Sequence, residues 1–158
     1  MTWEQVCEQD DLQDLPFKIE TNQFGQVVMS PASNHRGFLQ AKLSYLLMDQ
    51  GNDGSRVVSE CSVDTEDGTK VADVAWLSEV FWKARGAETP YSVAPEVCIE
   101  IQSPSNSNEE LEFKRNLYFS AGAKEVWICN EAGELAFFVA EDEQEASALF
   151  PNAPQKLL

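Results

Sequence analysis

Two carboxylates stand in the middle of apolar segments that favour β-strands. Asp73 lies within KVADVAWL at residues 70–77, and Glu100 lies within PEVCIEIQ at residues 95–102. Burying a carboxylate without a partner is costly, so each acid taken alone is explained most simply by a solvated position or an edge strand. Taken together on two neighbouring strands, the pair could converge on a divalent cation, which prefers oxygen ligands. The sequence therefore raises a metal site as the first chemistry to consider.

Periodicity and turn residues predict the elements that must position these acids. Apolar residues at helical spacing, with Asn34 as N-cap and Gly51 as the stop, predict a helix over residues 34–50. The predicted helices cover 3–9, 34–50 and 108–121, and the predicted strands cover 17–22, 26–30, 55–65, 70–77, 95–102, 124–130 and 134–140. We expect an irregular connection over 78–94 and a solvated end from residue 141 onward. This order predicts an α/β (α+β) fold with a mixed central sheet.

Several of these segments carry a recognisable pattern. They are KIETNQFGQVVMSPAS before His35, VADVAW, PEVCIEIQSPS, Lys114 with Tyr118, and AGAKEVWIC. Over about residues 15–140, the chain resembles the putative restriction endonuclease family of bacterial proteins, which belongs to the PD-(D/E)XK nuclease superfamily. The resemblance implies a restriction-endonuclease-like core, in which helices flank a mixed central β-sheet. The length of 158 residues, with no linker to a second domain, predicts one domain over residues 1–158, which the resemblance makes nuclease-like.

The resemblance implies an active site around the same two acids. Asp73 matches the superfamily's aspartate, although Ala72 stands where proline is usual. Glu100 matches the acidic residue of the E-x-K element, and Gln102 stands where lysine is usual. The resemblance points to Lys114, on the following helix, as the lysine that takes over this role.

The implied chemistry is hydrolysis of a phosphodiester with Mg²⁺ or Mn²⁺ as cofactor. Asp73 and Glu100 would hold the cation, with the Ile101 carbonyl as a third ligand. The metal would polarise a phosphoryl oxygen and lower the pKa of a bound water. Lys114 would orient that water and stabilise developing charge. Gln102 could position the water by hydrogen bonding, but it cannot supply positive charge.

Other candidates have a simpler interpretation beside the functional one. Glu20 resembles a family acid that completes the site, yet a solvent-facing strand position also explains it. Glu110, Lys114 and Tyr118 share one helix face, which would let Lys114 and Tyr118 approach the sheet and Tyr118 contact substrate. A surface ion pair between Glu110 and Lys114 is the simpler alternative. His35, at the start of a helix, either neighbours the cap or touches a phosphate.

The charge balance bears on the choice of partner. The 158 residues include 27 acids and 11 bases, which gives a net charge of -16. Phosphate binding depends on Lys and Arg, so this charge opposes nucleic-acid and anionic-membrane binding without excluding an enzyme that places a few cations locally. Three functions stay open: a metal-dependent endonuclease, a catalytically weak or inactive acidic member that binds a protein partner, and an enzyme for a small nucleotide-like substrate.

Three further expectations concern surroundings and assembly. No apolar run reaches the length of a transmembrane helix, and the acidic N-terminus lacks the features of a signal peptide, so we expect a cytoplasmic protein. The four cysteines lie far apart and the chain has one histidine, so we expect no zinc site. The superfamily resemblance implies a homodimer.

Overall fold

The computed structural model describes residues 1–158 and contains four α-helices, a short 3₁₀ helix and eight strands. The helices are α1 (Trp3–Glu8), α2 (Asn34–Gln50), α3 (Glu79–Arg85) and α4 (Asn108–Ser120), and the 3₁₀ helix covers Asp10–Leu12. The strands are β1 (Phe17–Thr21), β2 (Val27–Pro31), β3 (Arg56–Thr65), β4 (Gly68–Leu77), β5 (Val97–Ile101), β6 (Glu125–Cys129), β7 (Leu135–Val139) and β8 (Asp142–Gln144). None of the helices has the length and apolar character needed to cross a membrane.

Six strands form one mixed sheet, and the other two form a separate hairpin. The sheet has the order β3-β4-β5-β6-β7-β8, while β1 pairs with β2. β5 and β6 are parallel, and the other neighbouring strands are antiparallel. Both parallel strands are buried along their whole length, which explains their nearly continuous apolar sequences. The predicted mixed sheet with flanking helices is confirmed.

The two long helices cover opposite faces of this sheet and so decide which way the acids point. α2 packs on the face that carries Val74 and Ile99, using a stripe of buried leucines: Leu39, Leu43 and Leu47. On the other face, Tyr118 of α4 packs in one cluster with Ala75 and Cys98. Alternate residues of a strand share a face. Asp73 and Glu100 therefore point toward α4.

The hairpin of β1 and β2 is held against the start of β4 by side chains. The Thr69 N–H donates to Thr21 Oγ1 at 2.9 Å, and the Lys70 ammonium donates to the Thr21 carbonyl at 2.9 Å. β1 therefore lies beside the strand that carries Asp73. Because alternate positions share a face, β1 presents Lys18 and Glu20 together.

Four details differ from the sequence predictions. The segment expected to be irregular contains α3, whose first turn is capped by the Ser78 side chain. The EDEQE stretch contributes β8, a short exposed strand that pairs with β7. The cap of α2 is Ser33, which accepts from the Arg36 N–H, and not Asn34. The end of the chain is not simply solvated, because Phe150 is buried against the rings of Trp76 and Trp127.

Candidate active site

The pairing of β4 with β5 ends at Val74 and Ile99. Asp73 directly precedes Val74 in β4, and Glu100 directly follows Ile99 in β5. Both acids are buried, at 2% and 3% exposure. Asp73 Oδ2 accepts the Ile101 N–H at 2.7 Å, so the side chain of one strand bonds to the main chain of the next. The local pairing of β4 with β5 therefore fixes both carboxylates in one small region.

Lys18, which is not among the predicted site residues, lies between the two carboxylates. Lys18 Nζ is 3.3 Å from Asp73 Oδ1 and 3.0 Å from Glu100 Oε2. Its residue is only 6% exposed. The sequence did carry a signal for it, because Lys18 and Glu20 alternate on β1. A site that includes Glu20 must therefore also receive Lys18.

Lys114 forms the second link between the acids. Its ammonium lies 2.8 Å from Glu20 Oε2 and 3.3 Å from Glu100 Oε1. It does not pair with Glu110, which instead accepts from the Asn106 side chain. Glu20 is buried rather than solvent-facing, and its Oε2 also accepts the Val71 N–H at 2.7 Å.

These five residues form an alternating chain of charges, in the order Asp73, Lys18, Glu100, Lys114, Glu20. We call them the carboxylate–lysine cluster. It contains three carboxylates and two ammonium groups, contributed by β1, β4, β5 and α4. Each buried charge therefore has at least one partner of opposite sign, which is the condition for tolerating such charges in a core.

Tyr118 supports Glu100 from α4. The tyrosine is fully buried, and its hydroxyl donates to Glu100 Oε1 at 2.6 Å. Burial, together with the neighbouring Glu100 charge, raises the pKa of Tyr118 well above its usual value, so the hydroxyl stays a donor. Because the Tyr118 side chain is buried and bonded to Glu100, it is placed to orient that carboxylate. The substrate contact expected of Tyr118 stays a prediction.

The two central acids differ in how well their charges are compensated. Burial alone would raise the pKa of Glu100, but Lys114, Lys18 and the Tyr118 hydroxyl outweigh it and lower that pKa. Asp73 has fewer partners, and burial, which Lys18 offsets only in part, raises its pKa to about 6. For Lys18, burial disfavours the ammonium, yet the Glu100 and Asp73 carboxylates dominate and raise its pKa above the ordinary value. Asp73 is therefore the member of the pair that changes protonation nearest to neutral pH.

A cleft of about 490 Å³ opens at the end of β5, where its lining begins at Ile101, the residue after Glu100; none of the five cluster residues lines it. Ile101 and Gln102 line it, together with His35 and Arg36 from the start of α2. His35 Nε2–H donates to the Glu131 carbonyl at 2.6 Å, so the ring lies in the cleft wall. The structure thus separates the predicted residues into a buried charged cluster and a cleft with Gln102 and His35.

The oxygen atoms available to a metal are few. No group of three or more His, Cys, Asp or Glu side chains is arranged to hold a metal ion. Two carboxylates remain, Asp73 and Glu100, with the Ile101 main chain beside them. This donor set fits Mg²⁺, which is commonly bound by one or two carboxylates while keeping several waters.

Comparison with known proteins places the chain in a family. Residues 3–157 match the Uma2 family, described as "Putative restriction endonuclease". The chain belongs to this family. The Uma2 assignment confirms the resemblance found in the sequence, and no curated protein matches the chain.

A solved structure supports the same fold. It is the crystal structure of a putative nuclease belonging to DUF820 from Anabaena variabilis, with 14% sequence identity and a TM-score of 0.73. The match covers 99% of this chain and 95% of that chain. This likeness establishes that the two chains share a fold over nearly their whole length.

Proposed function

We propose that this Uma2 protein is a metal-dependent endonuclease that hydrolyses phosphodiester bonds. The observation that carries the proposal is the burial of Asp73 and Glu100 side by side, with two lysines between and beside them. Purely structural acids in a core this apolar are costly to keep, and perturbed, paired carboxylates next to a cleft are typical of functional sites.

In this proposal Asp73, Glu100 and the Ile101 carbonyl hold Mg²⁺ or Mn²⁺. A cation bound there supplies Lewis-acid polarisation of a phosphoryl oxygen and a lower pKa for water. Lys114 is the partly accessible ammonium of the cluster, with a side chain 21% exposed. It stabilises negative charge that develops on the phosphate. Glu20 accepts from Lys114 and thereby positions it.

Gln102 and His35 face the substrate rather than the metal. Both line the cleft next to the cluster, and Gln102 follows Ile101 directly. Gln102 orients the attacking water by hydrogen bonding, and His35 contacts a phosphate. In the overall reaction water adds to phosphorus and one P–O ester bond breaks, which leaves a phosphate monoester and a free hydroxyl.

The decisive experiment compares the wild-type protein with Asp73→Asn on single-stranded DNA, duplex DNA and RNA, at low salt with Mg²⁺ or Mn²⁺. The Asn side chain keeps the shape of Asp73 but removes the charge that would hold the metal. Asp142→Asn, in the exposed strand β8, is the matched control. We expect cleavage by wild type and by the control, and loss of cleavage in Asp73→Asn. Absence of cleavage by wild type, or equal cleavage by Asp73→Asn, refutes the proposal.

A second candidate is a catalytically inactive family member that binds a protein partner. One observation favours it: the ammonium of Lys18 already bridges the two acids at the position that a metal would take. Wild-type protein that neither binds Mn²⁺ in calorimetry nor cleaves any of the three substrates would support this candidate over the nuclease.

A further inference from the structure

The cation position between Asp73 and Glu100 is already filled by the protein itself. Each carboxylate directs one oxygen to Lys18 Nζ, at 3.3 Å from Asp73 and 3.0 Å from Glu100. These are the same two carboxylates that the proposed function gives to the metal. Mg²⁺ would need oxygens at about 2.0–2.1 Å. A metal ion and the ammonium therefore compete for the same space.

The other oxygens of these acids already have partners. Asp73 Oδ2 accepts the Ile101 N–H at 2.7 Å. Glu100 Oε1 accepts the Tyr118 hydroxyl at 2.6 Å and the Lys114 ammonium at 3.3 Å. The oxygens that remain for a shared cation are the two that face Lys18. A metal that bridges the acids must displace the lysine from them.

The lysine has a place to move to. Lys18 also borders a groove of about 510 Å³ between β1 and the N-terminal segment. Asp14 and Glu60 line this groove, so an ammonium that leaves the acids would still meet negative charge there. A four-carbon stem with rotatable bonds permits such a change without moving β1.

We infer that Lys18 is a built-in counter-ion of the metal site, and that a divalent metal binds only by displacing its ammonium group. This inference rests on the proposed function, because it concerns the same two carboxylates. It makes the site weak for metal in the wild-type protein and keeps a positive charge between the paired acids when metal is scarce. Lys18 thereby sets the metal concentration at which the site fills.

The test is a calorimetric titration with Mn²⁺ of wild type, Lys18→Met and Lys18→Arg. Methionine keeps the length and apolar stem but removes the charge, while arginine keeps the charge and is the matched control. Lys18→Met should bind Mn²⁺ about tenfold to a hundredfold more tightly, because charge-assisted hydrogen bonds no longer have to be broken. Lys18→Arg should bind no more tightly than wild type. Adding Glu100→Gln to Lys18→Met should remove the gain.

The outcomes separate the inference from the proposed function. Binding by wild type with equal or weaker binding by Lys18→Met overturns the inference and leaves the metal site intact. Binding by neither protein overturns the metal site itself. Tighter binding by Lys18→Met supports the inference whether or not the wild type cleaves nucleic acid, because the readout is affinity.

A second measurement needs no variant and therefore does not depend on folding of Lys18→Met. Wild-type protein is treated with an amine-acetylating reagent with and without saturating Mn²⁺, and acetylation is quantified by mass spectrometry. Displacement should increase modification of Lys18 several-fold. Lys83, exposed on α3, is the internal reference and should not change. Unchanged modification of Lys18 at saturating Mn²⁺ overturns the inference.

Discussion

The hydrogen bond from Tyr118 to Glu100 gives a quantitative test of how the cluster is held. In Tyr118→Phe the ring stays in place and only the hydroxyl is removed, so no large cavity forms. The lost bond is 2.6 Å long, fully buried and made to a carboxylate. Hydrogen bonds to charged groups contribute about 1.5–3 kcal/mol. Since Glu100 keeps Lys18 and Lys114, we expect the lower half of that range, about 2 kcal/mol.

Urea denaturation and thermal unfolding measure this loss. For a protein of 150–250 residues, about 2 kcal/mol corresponds to a fall in Tm of roughly 4–8 °C. Tyr91→Phe is the control, because the Tyr91 hydroxyl donates to the neutral Gly86 carbonyl at 3.3 Å. A loss no greater than that of Tyr91→Phe would refute the view that the Tyr118 hydroxyl stabilises a buried Glu100 charge.

Three further predictions concern pH, stability and catalysis. Burial raises the pKa of Asp73 from 3.8 to about 6, so between about pH 4 and 6 the folded protein holds a proton that the unfolded chain has lost. As the pH rises through this window, the free energy of unfolding should therefore fall by up to about 3 kcal/mol. Urea denaturation of Asp73→Asn at the same pH values should lack this decline. Glu125→Gln should lower the free energy of unfolding by about 2–3 kcal/mol in the same assay, because this buried carboxylate accepts four hydrogen bonds, three of which hold the C-terminal segment, yet it should leave Mn²⁺ affinity unchanged. Lys114→Met should reduce the cleavage rate by about 10²-fold or more while circular dichroism stays that of wild type, with partial recovery in Lys114→Arg; an undiminished rate would remove Lys114 from the mechanism.

The main elements of the fold could be predicted because their sequences obey simple rules. In the hairpin of β3 and β4, an alternating segment and an apolar segment flank a turn. Helix α4 begins at a clear N-cap, Ser107. α3 was missed because seven residues are too few for a periodic apolar pattern. β8 was missed because three exposed acidic residues become a strand only through pairing with β7.

The candidate site was predictable to a different extent. Asp73 and Glu100 stood out because a carboxylate conflicts with an apolar strand. Lys18 did not stand out, since a lysine in the alternating segment FKIET is typical of a solvated strand face. Its burial depends on how β1 lies beside β4, and that contact joins segments about fifty residues apart. No local pattern in the sequence predicts that contact, so Lys18 could be inferred only indirectly, through its alternation with Glu20 on β1.

The net charge of -16 and the carboxylate–lysine cluster together limit how much positive charge the protein can present to a nucleic acid. The chain has few bases, and it places two of them, Lys18 and Lys114, against its own acids. Those two lysines cannot also attract a nucleic acid from a distance, because the charge of each is matched within the cluster. In the cleft, Arg36 is the one lysine or arginine among the lining residues, and Glu131 lies in the same wall. Since affinity for nucleic acid rises with the number of phosphates neutralised, this surface favours contact with one or two phosphates over a long duplex. Under the proposed mechanism we therefore expect Lys114 to act on the reacting phosphate inside the site, rather than in capturing the polymer.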